Sequence, residues 1–181
     1  MSKLDPATCL TRADLSRADH QVLHRFCSGA TVIEFGCGGS TLFLVQIAKS
    51  LTSYDTNQEW ITLVKKQLPG TVNYCKTVPA VLPKADVHFV DGLASLRPAW
   101  VRRCLEQRAA KTIIVHDSRR TNPVAGLGCL LEWPLTAVIE KVEYHYLGSN
   151  CLVVTLRDKP VVYENWNVTE PKNRLPQLNK V

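Results

Sequence analysis

Four acids and a histidine occupy places where ordinary surface chemistry explains them poorly. Glu34 lies inside the apolar run TVIEF, two residues ahead of the glycine turn Gly36-Cys37-Gly38-Gly39. A carboxylate buried there needs a cationic or hydrogen-bonding partner. Asp55 closes the run LTSYD, 19 positions after Gly36. That is close to the spacing of about 20 at which an acid ending a second strand reaches a ribose hydroxyl pair. Asp91 ends ADVHFVD, and His116-Asp117 end KTIIVHD. Ligands of a parallel sheet sit beyond the carboxyl ends of its strands, so Asp91, His116 and Asp117 would share one rim. There His116 or Asp117 could take a proton from a hydroxyl or amine, imidazole being matched to neutral pH. Each strand-end acid could equally serve as a cap. Arg119 and Arg120 follow directly and would overhang the same rim, where a phosphate or carboxylate could be bound, although solvated loop arginines look the same in sequence.

The elements that must position these groups follow from apolar periodicity. Val32, Ile33 and Phe35 read as a buried strand, and the glycine turn leads into a helix from Ser40 to about Lys49. Leu42, Phe43, Val45 and Ile47 cover most of that helix, as expected of one packed on a sheet. Its start offers free N–H groups and a partial positive charge to an anion. Ahead of it, Thr11 or Asp14 caps a helix running to about Cys27. Downstream come a strand at LTSYD, a helix NQEWITLVKKQL capped by Asn57, strands at TVNYC and ADVHFV, a helix from Ser95 to Ala110, and a strand at KTIIV. This alternation predicts an α/β fold, a mostly parallel sheet with helices on both faces. TAVIEKVEYHY and NCLVVTLR then read as a terminal antiparallel hairpin turning at 147–150. The organisation expected is a helical lead-in at 1–28, a Rossmann-like domain at 29–158 and an extended tail at 159–181 in which Trp166 is an anchor.

Composition sets outer bounds. The chain has 181 residues, 45% hydrophobic and 21% charged, which suits one soluble globular domain. No apolar run approaches the roughly 18 residues of a membrane helix, and the first twenty residues lack the apolar core of a secretory signal. The seven cysteines are scattered without a CxxC pair, which points to reduced thiols in the cytoplasm, not to a zinc site or a disulfide frame. A net charge of +6 permits an anionic partner without specifying one.

With EFGCGGS after the first strand, YD ending the second, FVDG the fourth and HD the fifth, and with the terminal hairpin, the chain resembles the class I S-adenosylmethionine-dependent methyltransferases over roughly residues 30–157. It is most similar to small members carrying VDG and HD signatures and a pattern like TSYDTNQEW. The resemblance implies a doubly wound, Rossmann-like sandwich: a mostly parallel seven-stranded sheet ending in an antiparallel hairpin. It also implies S-adenosyl-L-methionine as cofactor. Glu34 would receive the methionine ammonium, Gly36, Gly38 and Gly39 would leave it space, and Ser40 and Thr41 would hold its carboxylate. Asp55 would take the ribose, and the adenine would lie near Tyr74 and Cys75. Asp91 would stand beside the methyl sulfonium. The family loop carries glycine where Ser40 stands here, and no acid follows the third strand. A nicotinamide fingerprint fits worse, because Thr41 takes its third glycine position.

Catechol-type relatives hold magnesium with a strand-four Asp and a strand-five Asp-Asn. Asp91 and Asp117 match that pattern, with Ser118 in place of the Asn. The expected reaction is methylation of an O or N atom of a small acceptor, one that Arg119 and Arg120 would suit to an anion. No Asp/Asn-Pro-Pro-aromatic segment follows the fourth strand, and no Pro-Cys nucleophile stands there. The alternatives are a nucleic-acid methyltransferase or binding protein, and a non-catalytic member that binds the cofactor or a partner. Arg97, Arg102, Arg103 and Arg108 read as the solvated face of one helix. His88 reads as a core histidine, and Cys37 is given no nucleophilic role.

Overall fold

The structure is a computed structural model that describes residues 15–68, 73–118, 129–130, 132, 135–144, 149–160 and 179–180. Helix α1 (Arg17–Cys27) precedes strand β1 (Thr31–Phe35), and then come α2 (Gly39–Ile47), β2 (Ser50–Tyr54), α3 (Gln58–Gln67) and β3 (Asn73–Cys75). β4 (Ala85–Val90), α4 (Arg97–Gln107) and β5 (Ala110–Val115) continue the alternation. A 3-10 turn at Leu135–Val138 leads into β6 (Ile139–Tyr144), followed by β7 (Leu152–Leu156) and the two-residue β8 (Asn179–Lys180). The strands form one sheet in the order β3-β2-β1-β4-β5-β7-β6-β8. β1 to β5 pair in parallel, and β7 runs antiparallel between β5 and β6. The expected mostly parallel seven-stranded sheet with its antiparallel pair is there, and β8 extends the edge beside β6.

Alternating side chains of the central strands supply two cores. Val32, Phe89, Ile114 and Val153 meet Leu23 of α1 and Leu44 of α2 on one face. Ile33, Val90, Ile113 and Val154 meet Val101 and Leu105 of α4 on the other. Each fully buried Leu, Ile or Phe removes enough apolar surface from water to contribute about 1.5–3 kcal/mol. Burial on both faces is why these strands read as continuous apolar runs. Among the described residues no helix is long and apolar enough to cross a membrane.

Several boundaries differ from the sequence reading. Ser16 caps α1, in a reciprocal capping box with Asp19, whereas Thr11 and Asp14 lie outside the described residues. Residues 136–138, expected as strand, wind into the 3-10 turn Leu135–Val138. α4 stops at Gln107 because Arg108 takes a left-handed conformation with φ +50°. Residues 145–148 of the expected hairpin turn, and Trp166 with the rest of 161–178, also lie outside the described residues.

Gly36 and Gly92 join the two loops that flank the site. A Cβ on Gly36 would lie 2.2 Å from Gly92 Cα and 2.3 Å from Gly92 N, and its φ is +107°. A Cβ on Gly92 would lie 2.3 Å from the Trp100 ring. The first glycine of the turn is therefore required by loop-to-loop packing. A Cβ on Gly38, by contrast, meets nothing within 4 Å. We expect Gly36→Ala to cost at least about 2 kcal/mol in denaturant unfolding, through backbone overlap and strain. Gly38→Ala should stay within about 0.5 kcal/mol of wild type. Equal stabilities for the two variants would contradict this account of the turn.

Candidate active site

Four residues at the strand ends, Gly36, Asp55, Asp91 and His116, are each fixed by one hydrogen bond that carries the parallel ladder a step past its strand. Gly36 N donates to Tyr54 O, Asp55 N to Cys75 O, Asp91 N to Phe35 O and His116 N to Val90 O, at 2.7–3.1 Å. The backbone of the site is thus an extension of the sheet, and its side chains emerge along one edge. They line a cleft of about 440 Å³ with Gly36, Gly38, Gly39, Ser40, Asp55, Asp91, His116 and Asp117 in its wall, a volume suited to a small ligand. Leu15, Cys37, Asn57, Trp60, Gly92, Leu93, Ala94 and Arg97 complete it.

Glu34 is placed behind this wall. It is fully buried and does not line the cleft. Its Oε1 accepts from Ser40 Oγ at 2.6 Å, and its Oε2 accepts from Thr41 Oγ1 at 2.7 Å and from Ser53 Oγ. Thr41 Oγ1 in turn accepts from Gly38 N at 2.9 Å. Glu34 thus ties the glycine turn, the first turn of α2 and β2 together through three hydroxyls. Thr41 serves the same network and is buried away from the cleft, while Ser40 belongs to both. Burial pushes the Glu34 carboxyl up to about 7, with Ser40, Ser53 and Thr41 opposing the shift.

Asp55 faces the cleft with its carboxylate pre-oriented. Oδ2 accepts from Cys37 N at 2.9 Å and Oδ1 from Asn57 N at 2.7 Å. Each carboxylate oxygen keeps a further lone pair for a ligand donor. Burial nonetheless pushes its carboxyl above the ordinary value, against those two backbone bonds. Burial raises the Cys37 thiol as well, which leaves it un-ionised and consistent with no nucleophilic role. Tyr74 does not line the cleft. Its hydroxyl is buried without a hydrogen-bond partner, and its ring joins Ile61 and Val64 beneath α3.

At the other end of the cleft stands a row of charges. His116 Nδ1 lies 2.7 Å from Asp91 Oδ1, and its Nε2 lies 3.6 Å from Asp19 Oδ2. Asp19 is fully buried on α1 and accepts from Ser16 N, Ser16 Oγ, Ser149 Oγ and Asn150 N at 2.6–2.8 Å. Burial would raise its carboxyl, but His116, then Ser149, Ser16 and Asn150, outweigh burial and hold it well below the usual range. Burial would lower His116, yet Asp19 and Asp91 drive it up to about 10. The two carboxylates favour the protonated imidazole, with Nδ1 hydrogen-bonded to Asp91 and Nε2 facing Asp19 from beyond hydrogen-bond distance.

Arg97, read from the sequence as part of a solvated face, is the residue most differently placed. Its side chain is 7% exposed. Nη1 lies 3.1 Å from Asp117 Oδ2 and Nη2 lies 3.6 Å from Asp91 Oδ1, while Nε donates to Gly92 O at 2.8 Å. The sequence hid this because helix position alone does not tell a solvated arginine from one at the first turn facing two strand-end acids. Asp117 takes a left-handed conformation, φ +56°, which is uncommon outside glycine and concentrates at functional sites. Arg102 fits the solvated reading, being half-exposed and paired with Glu132. His88 is fully buried, 3.3 Å from Pro83 O, and burial lowers it to about 4, as suits a neutral core histidine. Arg119 and Arg120 lie outside the described residues.

The donor set does not fit magnesium. Asp91, His116 and Asp117 offer atoms within 4.8 Å of one another, but the Arg97 guanidinium already lies against both carboxylates. Ser118 points elsewhere, its Oγ donating to Asn150 O at 2.7 Å. The donor set does fit S-adenosylmethionine. Asp55 offers an oriented acceptor for a diol, Gly38 leaves open space beside it, and Gly39 and Ser40 present the start of α2 to an anionic end.

Glu34 makes stability depend on pH with a definite sign. A carboxyl near 4.5 when unfolded and about 7 when folded contributes most below pH 4.5, and the contribution is lost as pH rises through 7. Wild type should lose up to about 3 kcal/mol between pH 5 and 8 relative to Glu34→Gln, whose side chain cannot ionise. Denaturant unfolding at both pH values checks this, and parallel pH profiles would contradict it.

No protein-family model matches the chain, and neither does any curated protein sequence. Solved structures do. The chain superposes on the N-methyltransferase NodS of Bradyrhizobium japonicum WM9 with TM-score 0.55 and 19% identity, over 82% of this chain and 96% of that one. An O-methyltransferase of Bacillus cereus in complex with S-adenosylhomocysteine gives 0.55 and 15%, over 83% and 87%. The 23S rRNA methyltransferase ErmE gives 0.54 and 17%, over 82% and 71%. The chain therefore has the fold these methyltransferases share.

Proposed function

We propose that the protein binds S-adenosylmethionine in this cleft and transfers its methyl group to an oxygen or nitrogen of a small acceptor. The observation that carries the reading is one continuous cleft with Asp55 at one end, the glycine turn and the start of α2 along its wall, and Asp91 at the other. When bound, the cofactor supplies an activated methyl on a sulfonium. Asp55 would receive the ribose hydroxyls, and the first amides of α2 the carboxylate end. Glu34 supports both from behind through Ser40, Thr41 and Ser53.

Asp91 and Asp117 are the acids that would steer an acceptor. His116 acts through Asp91 as a positioning residue. Among the described residues three carboxylates line the cleft, and the cations there, Arg97 and His116, are turned onto carboxylates. That balance favours a neutral or amine acceptor over a polyanion, and the anionic reading rests on Arg119 and Arg120 and on the net charge of +6. The fold is shared by N-, O- and RNA-methylating proteins, so the acceptor must come from the site and not from the fold. The six described cysteines are free thiols, which supports a cytoplasmic setting.

A thermal-shift titration tests the reading. S-adenosylmethionine and S-adenosylhomocysteine at about a hundred times their dissociation constants should each add ~2.7 kcal/mol and raise Tm by several degrees, with no effect of NAD. Asp55→Ala should weaken both by about tenfold or more, ~1.4 kcal/mol. Absence of any adenosyl-dependent shift, or full affinity in Asp55→Ala, would overturn it.

A further inference from the structure

A divalent cation drawn to the ends of β4 and β5 would find Asp91, His116 and Asp117 presenting atoms within 4.8 Å of one another. It would also find the space between the carboxylates taken. We propose that Arg97 is the resident cation of this corner. Its guanidinium holds the place that a metal ion would take between Asp91 and Asp117, so the site works without a metal, and removing the guanidinium opens a divalent-cation site.

The accounting of Arg97's donors supports this. Nε binds Gly92 O at 2.8 Å, and Nη1 binds Asp117 Oδ2 at 3.1 Å and His116 O at 3.3 Å. Nη2 binds Asp91 O at 3.3 Å and faces Asp91 Oδ1 at 3.6 Å. Two carboxylates and three backbone carbonyls thus converge on one planar cation. They are all oxygens, the ligand type that hard divalent ions select. The fork shape of guanidinium suits that set, whereas a compact ammonium could satisfy only part of it.

Placement adds a second line. Arg97 opens α4, where the helix's own partial positive charge disfavours a cation, and it does so with its side chain 7% exposed. The acids and carbonyls beyond it offset that unfavourable placement. Ser118, which might complete a metal shell, donates its hydroxyl to Asn150 O instead. His116 has its Nδ1 directed at Asp91 Oδ1, so that nitrogen is not open to a metal.

The test is Mn²⁺ binding, followed by electron paramagnetic resonance on the full chain without S-adenosylmethionine, so that its outcome is independent of the proposed methyl transfer. Wild type should bind no Mn²⁺ in an Asp91-dependent way up to about 1 mM. Arg97→Met, of similar length and no charge, should gain one Mn²⁺ at least about tenfold more tightly, and the gain should vanish in R97M/D91N. Arg97→Lys, still cationic, should behave as wild type. An Asp91-dependent Mn²⁺ site in wild type, or a folded Arg97→Met that binds no better, overturns the proposal. Should Arg97→Met fail to fold by circular dichroism, Arg97→Gln takes its place with the same expected gain, and a folded Arg97→Gln that binds Mn²⁺ no better than wild type overturns the proposal.

Discussion

Where β4 and β5 end, three carboxylates and two cations are packed in alternation: Asp19, His116, Asp91, Arg97 and Asp117. Each neighbour is contributed by a different piece of the chain. Asp19 comes from α1, Asp91 and His116 from the ends of adjacent strands, Arg97 from the first turn of α4, and Asp117 from the residue that leaves the sheet. Removing one partner from a buried pair strands the other and costs about 3–5 kcal/mol, so these elements are tied to one another through their charges. His116 is central because both its neighbours are acids. Its contribution is complete below pH 6.5, its ordinary value, and is lost as pH rises through about 10.

Among the described residues, hydroxyls and amides, not cations, hold the opposite wall of the cleft. Glu34 gathers the hydroxyls of Ser40, Thr41 and Ser53, which binds the start of α2 and the neighbouring strand β2 to β1. Thr41 passes the connection to the Gly38 amide, and Asp55 fastens the turn again through the Cys37 amide. The loop is therefore preorganised from two sides by acids before any ligand arrives. A ligand that meets an ordered loop does not bear the entropic cost of ordering it.

Much of this was legible in the chain because strand ends announce themselves. The acids at 55, 91 and 117 stand where an apolar run stops, and the turn glycines fix where β1 gives way to α2. What sequence could not supply was direction. Glu34 and Thr41 looked like ligand contacts, and their hydrogen bonds to Ser40, Ser53 and the Gly38 amide were not legible, since period-two alternation sets the face of the sheet but not what packs there. Arg97 looked like one of four helix-surface arginines. Asp19 carried a readable signal, the Ser16-x-x-Asp19 spacing of a capping box, yet its partners Ser149 and Asn150 lie 130 and 131 positions away, and only the fold brings them together.

Nitrogen-15 NMR of the His116 ring across pH 5 to 11 tests the central claim most directly. An imidazolium clamped between Asp19 and Asp91 should show both ring nitrogens protonated throughout the neutral range, with a midpoint near 10. A midpoint near the ordinary 6.5, or a neutral tautomer at pH 7.5, would contradict the charge row as the element that holds this site together.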